Sequence, residues 1–235
     1  MPTPIALTFD IEFNINGALK PPFDRRPRGI ESLGARKGPG ELGLGAVLAI
    51  LREYGVRATF FVESLQSAWF GEREMGQVAE RIVSEGHEVQ LHLHPVWLLF
   101  EHPDWQSKAR QVPPKAATHD ALTAMAPEQA LATIERARRA FERWDVPSPT
   151  VIRTGGLNTE RALYPLFREA GFALSSSIGV GWHQPADPSI VRYTTPLEID
   201  GVLELPVGSY VGSDLLLRSA RRLSTLVGMG SREQQ

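Results

Sequence analysis

The stretch Gly86-His87-Glu88-Val89-Gln90-Leu91-His92-Leu93-His94-Pro95 (GHEVQLHLHP, residues 86–95) decides how the rest of the chain is read. Before it, Met75, Val78, Ala79, Ile82 and Val83 recur at the spacing of one helical face. Gly86 fits the left-handed position just past a helix end, where a Cβ would clash. After the glycine the run reads as a strand. Residues two apart on a strand share a face, so His92 and His94 stand side by side if the strand persists that far.

The same order of helix, glycine and strand returns in LREYGVRATFFV (51–62) and FREAGFALSSS (167–177), with Gly55 and Gly171 in the role of Gly86. Helix–strand alternation of this kind implies mostly parallel strands covered by helices. The pattern predicts strands near 5–10, 58–62, 88–94, 150–153, 172–176, 190–194 and 202–207. Helices are predicted near 41–54, 73–85, 128–144, 159–170 and 214–227, with Pro165 kinking or weakening the fourth. Two long connections, 13–40 and 95–127, read as lids or binding loops.

Composition bounds the function. The chain has 235 residues, 42% of them hydrophobic and 22% charged, with a net charge of −2. That balance offers no broad basic surface for nucleic acid or anionic membrane. There is no cysteine, which excludes disulfides, thiolate nucleophiles and cysteine-bound zinc. No window approaches the apolar length of a membrane span, and the N-terminus lacks the pattern of a secretory signal. A cytoplasmic location is expected. No linker marks a second domain.

In parallel α/β folds, sites assemble where strands hand over to loops at their C-terminal ends. The first strand ends Asp10-Ile11-Glu12, the third His92-Leu93-His94 and the fourth at Arg153. If these strands are neighbours, two carboxylates, two imidazoles and a guanidinium converge. Two imidazoles and one carboxylate commonly hold a divalent metal with open positions for water. The second carboxylate is then free to act as a base, with Arg153 pairing to it. Each residue also has a structural reading. A strand-end acid often caps a turn, and His87 reads as a hydrogen-bonded structural histidine. Arg153 alone suits a surface ion pair. Gly155-Gly156 suits a tight turn, or a bare backbone that a substrate approaches. Trp97, Trp105 and Trp182 fall in predicted loops, where they either stack on sugar faces or pack the loops. Trp69 and Trp144 read as helix packing.

The motifs LTFDIE, GHEVQLHLHP, IRTGG and LELPV resemble, in order and spacing, those of the NodB-like polysaccharide deacetylases, carbohydrate esterase family 4. The resemblance covers roughly residues 5–210. It implies a distorted (β/α) barrel, a single catalytic domain over 1–235, and metal-dependent removal of N- or O-linked acetyl groups from carbohydrate. By the same resemblance the catalytic base is Asp10 and the metal-binding acid is Glu12. His92 is the first metal histidine, and Arg153 orients the base. Zinc is the default ion for such a ligand set.

Three positions depart from the family pattern. Its second histidine falls on Val96, which leaves His94 as the substitute and His102 as a remoter one. FALSSS lacks the family's aspartate, with Ser175 and Ser176 near its place. No Leu-His pair follows Leu205-Pro206, so the barrel is incomplete at its C-terminal end or a general acid comes from elsewhere; His183 is the one histidine in the last third. Two rival readings follow. One is a cyclic-amide or ureide amidohydrolase of the same fold, against which the tryptophans speak. The other is a non-catalytic carbohydrate-binding relative, against which the Asp10–Glu12–Arg153 set speaks.

Overall fold

The computed structural model describes residues 5–34, 43–111, 120–179, 187, 189–190 and 195–208. The elements in chain order are β1 (Thr8–Ile11), α1 (Leu44–Glu53), β2 (Thr59–Glu63), α2 (Ser67–Phe70), α3 (Arg73–Ser84), β3 (Glu88–Leu93), α4 (Trp105–Gln111) and α5 (Pro127–Arg143). They continue with β4 (Val151–Thr154), α6 (Tyr164–Glu169), β5 (Leu174–Ser175), β6 (Leu197–Ile199) and β7 (Val202–Glu204). The seven strands form one sheet in the order β1-β2-β3-β4-β5-β7-β6. All neighbours pair in parallel except β6 and β7, a hairpin closed by Asp200-Gly201. Both turn residues have positive φ, 49° and 85°, as a two-residue hairpin loop demands.

The three glycines of the repeated pattern adopt the expected left-handed conformation, with φ of 62°, 85° and 87° at Gly55, Gly86 and Gly171. Nothing lies within 4 Å of a Cβ built on Gly55 or Gly86, so those two positions answer to backbone conformation rather than to crowding. The helices bury their apolar stripes on the outer face of the sheet. Leu48 and Leu51 of α1, Met75, Val78 and Ile82 of α3, and Ile134, Ala137 and Phe141 of α5 join Phe60, Val62, Val89, Leu91 and Ile152 in one core.

The inner face is polar and strongly curved. Strands β1 and β4 are separated by β2 and β3, a span of about 14 Å in a flat sheet. Arg153 of β4 nevertheless donates to Asp10 and Thr8 of β1 at 2.6 and 3.1 Å. Its guanidinium crosses over the Phe61 ring of β2 at 3.8 Å. Only a sheet curled towards a barrel brings these side chains together. Thr8 and Val207, from opposite ends of the sheet order, line one cavity.

Several expectations are corrected. The connection after β3 is not structureless: Pro95–Glu101 forms a 3-10 helix and α4 follows it. Trp69, Trp97, Phe100 and Trp105 pack edge-on or tilted there, and this aromatic group is continuous with the main core. Pro165 sits in the first turn of α6, where its missing N–H costs nothing, instead of kinking the helix. Of the strand placed at 190–194, only Ile190 is described, and it lies in a turn. The strand β6 at Leu197–Ile199 was not anticipated, although Asp200-Gly201 between two apolar pairs is a hairpin signal. The helix expected at 214–227 lies outside the described residues.

Candidate active site and metal centre

Parallel register sets the site in layers. Asp10 pairs with Phe61 and Phe61 with Gln90, while Glu63 pairs with His92 and His92 with Arg153. Side chains in register on parallel neighbours face the same side. Glu63, His92 and Arg153 therefore form one inward layer at the C-terminal end of the sheet. Glu12 follows Asp10 by two residues and so reaches that level.

Arg153 is buried and fully engaged. Besides Asp10 and Thr8, its Nε donates to the Ser176 carbonyl at 3.0 Å and its Nη2 to Ser176 Oγ at 2.9 Å. The planar fork is thus pinned by Thr8 of β1 and by Ser176, just past β5, as it meets Asp10 Oδ1. Asp10 itself is exposed to the cavity. The geometry presents a carboxylate to solvent in a fixed orientation, which is what a base requires.

Beside this pair, Glu12, His92 and His94 point donor atoms at one another. His94 Nε2 lies 3.0 Å from Glu12 Oε2 and 3.1 Å from His92 Nε2, and His92 Nε2 lies 3.9 Å from Glu12 Oε2. The edge of a tetrahedral ligand set with bonds of 2.0–2.1 Å is about 3.3 Å, so the spacing suits a small divalent cation. Tautomers agree with that use. His92 Nδ1 donates to the Arg153 carbonyl at 3.0 Å, leaving Nε2 with its lone pair. His94 Nδ1 lies 2.6 Å from Asp120 Oδ2, which occupies that nitrogen's proton. These three residues are a possible metal-holding group of the chain, and their donor set fits a first-row ion such as zinc.

Charge is finely distributed in this cluster. Burial alone would push the His94 imidazolium down, but hydrogen bonds to Asp120 and Glu12 outweigh it and hold the pKa well above the usual histidine range. Burial, then the charge of His94, lowers His92. Glu12 would be raised by burial; the hydrogen bond and charge of His94, with His92 behind, lower it instead. Glu63 is fully buried, and its pKa is raised well above the carboxylate range, first by burial and further by Glu12 and Asp120.

The structure brings Asp10, Glu12, His92, His94 and Arg153 to one cavity of ≈ 450 Å³, together with Thr8, Gly156, Leu157 and Val207. Of His94 and His102, it is His94 that lies beside Glu12 and His92. His102 stands at the end of the 3-10 helix, outside the cluster. Gly155, expected to contact substrate through its backbone, has a packing role beside His94. A Cβ there would meet the His94 ring at 2.4–2.7 Å, so its bare backbone makes room for the imidazole. Trp97 is corrected too. At 1% exposure it is locked against Phe70 and Phe100, and its face is not open for stacking on a sugar. Trp182 and His183 lie outside the described residues. His87 is buried just before β3 and tilted against Phe60, but its Nδ1 has no hydrogen-bond partner, so the hydrogen-bonded role expected of it is not seen at that nitrogen.

Two residues of the site were not anticipated. Asp120 comes from the long connection after α4, which carries no periodic signal. Glu63 ends the apolar run Thr59-Phe60-Phe61-Val62, the same strand-end signature that flagged Asp10 and Glu12.

The sequence model described as polysaccharide deacetylase matches residues 37–175. The chain belongs to the polysaccharide deacetylase family. That match contains His92, His94 and Arg153 but not Asp10 or Glu12. Among solved structures, a Mycobacterium smegmatis protein described as a polysaccharide deacetylase aligns with a TM-score of 0.50 at 19% identity. The alignment covers 86% of this chain and 57% of that one, so the chain spans little more than half of that relative, and the likeness is one of fold. A family 4 carbohydrate esterase from Streptomyces lividans, solved with acetate, aligns at 18% identity and TM-score 0.42 over 96% of this chain and 88% of its own. The chitin deacetylase of Colletotrichum lindemuthianum aligns at 16% and 0.44 over 86% and 71%. Among curated proteins nothing matches. No described helix is long and apolar enough to cross a membrane.

Proposed function

We propose that this chain is a metal-dependent carbohydrate deacetylase that hydrolyses an N- or O-linked acetyl group, acting as one catalytic unit. The observation that carries the reading is the Asp10–Arg153 pair, which opens into the same cavity as the Glu12–His92–His94 donor cluster. A divalent cation held by those three residues would supply the Lewis acidity that activates water and polarises the acetyl carbonyl. Asp10, held by Arg153 and free on its cavity side, accepts the proton of the attacking water. Family membership supports an acetylated carbohydrate as substrate. Trp97 and Trp105 give no support, since both are buried.

A binding protein without turnover has no need of a base held by a guanidinium that three further hydrogen bonds fix in place, and that weighs against the inactive reading. The test has two parts. Metal content is measured on purified wild type, Glu12→Ala and His92→Ala, and the loss of one equivalent in each variant is expected. Acetate release from acetylated oligosaccharides is then compared with ring opening of cyclic amides. Equal metal content in all three proteins, or ring opening without acetate release, overturns the proposal.

A further inference from the structure

The family places its second metal histidine four residues after the first, and in this chain that position is Val96. His94 stands in instead, and something must hold its ring. A histidine at the mouth of a half-open cavity has two nitrogens and a rotatable ring, and either nitrogen can present a lone pair. His92 is fixed by a backbone carbonyl behind it. Asp120 stands in the equivalent place behind His94, its Oδ2 at 2.6 Å from Nδ1.

Asp120 is itself anchored at its other oxygen. Its Oδ1 accepts the backbone N–H of Val96 at 3.4 Å. The residue that stands where the family has an imidazole thus serves through its main chain, by holding the carboxylate that orients the substitute. Gly155 completes the seat by leaving the space into which the His94 ring is pushed. With Nδ1–H committed to Asp120, His94 Nε2 is the only nitrogen left to face Glu12 and His92, and it lies within 3.1 Å of both.

We infer that Asp120 is the positioning residue that makes His94 a metal ligand, replacing the missing family histidine by a carboxylate–imidazole pair. This rests on the metal-site reading of Glu12, His92 and His94. Asp120 would orient His94 rather than ligate the ion, since its carboxylate meets Nδ1 and not the Nε2 that faces Glu12 and His92. Partners of this kind fix tautomer and ring orientation and strengthen the ligand, and their loss costs about 10–100-fold in metal affinity.

The experiment measures zinc affinity of the full chain by chelator competition for wild type, Asp120→Ala, Asp120→Asn, His94→Ala and Glu12→Ala. Circular dichroism checks the fold of each. Asp120→Ala should bind zinc about 10–100-fold more weakly. Asp120→Asn, which keeps an oxygen for Nδ1–H, should recover much of that loss. The visible spectrum of the cobalt-loaded protein should change in Asp120→Ala and much less in Asp120→Asn. A Kd for Asp120→Ala within twofold of wild type overturns the inference, as does tight zinc binding by His94→Ala. If Glu12→Ala loses zinc while Asp120→Ala does not, the metal site stands and this inference alone falls. If wild type binds no divalent ion, both fall together.

Discussion

Replacing Gly155 by alanine should damage the metal centre from a residue that carries no ligand atom. The added Cβ would lie 2.4 Å from His94 Nδ1, 2.6 Å from Cε1 and 2.7 Å from Cγ. Ordinary carbon contacts begin near 3.5 Å, so the ring must retreat by roughly 1 Å. A surface side chain would simply swing away, but this ring is gripped at both edges. Asp120 holds Nδ1 at 2.6 Å, and Glu12 holds Nε2 at 3.0 Å. Retreat breaks one grip or the other. Overpacking of this kind costs about 1–3 kcal/mol in stability. Loss of the ring's orientation should weaken metal binding by about 10–100-fold, on the scale of losing the partner of a ligating histidine. Differential scanning fluorimetry without metal reads the first effect, and chelator competition reads the second. A Gly155→Ala protein whose zinc affinity stays within twofold of wild type would refute the reasoning, because the ring would then have moved without leaving the site.

Three further outcomes follow from the same geometry. Asp10→Asn keeps the shape and the hydrogen bond to Arg153 but removes the base; kcat for acetate release should fall by about 10²–10⁴ with zinc affinity unchanged, and a parallel loss of metal would show that Asp10 is a ligand instead. Arg153→Lys cannot span Asp10, Thr8 and both oxygens of Ser176, so denaturant unfolding should show a loss of about 1–3 kcal/mol from acceptors left unpaired; an unchanged midpoint would mean that the fork is not held as described. Glu204 is buried on β7, accepting from Tyr164 Oη and from the backbone N–H groups of Ser177 and Ile178, and burial raises its pKa. The folded chain therefore holds this proton more tightly than the unfolded chain, so stability is fullest below the unfolded pKa and declines as pH rises through the folded one. The decline is at most about 1.4 kcal/mol per pH unit for one proton. Glu204→Gln should flatten it, and identical pH trends in variant and wild type would exclude Glu204 as its source.

The parts of the fold that were legible in the sequence are those governed by local rules. The helix stripe before Gly86 named the core face of α3, where Met75, Val78, Ala79 and Ile82 are buried, because an amphipathic helix must turn its apolar side inward wherever it ends up. Strand-end acids and histidines were legible because parallel strands all point one way, so their C-terminal residues meet whatever the strand order. What the sequence hid depends on curvature. The reach of Arg153 across two strands to Asp10 follows from how sharply the sheet curls, which no period encodes. Asp120 was invisible for another reason: it sits 26 residues from His94 in an aperiodic connection, and only the folded path of that loop returns it to the ring. Trp97 stayed open between stacking on sugar and packing its loop because no period tells whether a loop is buried; the segment after β3 folds it into the main core.

The ligand role proposed for His94 has local support in the backbone around it. A histidine four residues after the first would sit past the strand, on the turn that follows it. Here Pro95 comes immediately after His94, and a proline bars the preceding residue from the helical region. His94 accordingly keeps an extended backbone, φ −120° and ψ 101°, although the 3-10 helix begins at the next residue. Extended geometry at residues 92 to 94 keeps both imidazoles on one face of the strand. The two rings then stand nearly perpendicular, at 86°, which lets their Nε2 atoms meet while their Nδ1 atoms turn to separate partners. Val96, one residue into the 3-10 helix, is buried. A histidine at that position would start from a backbone already committed to the aromatic cluster of Trp97 and Phe100. The proline thus keeps His94 extended and on the face that carries His92.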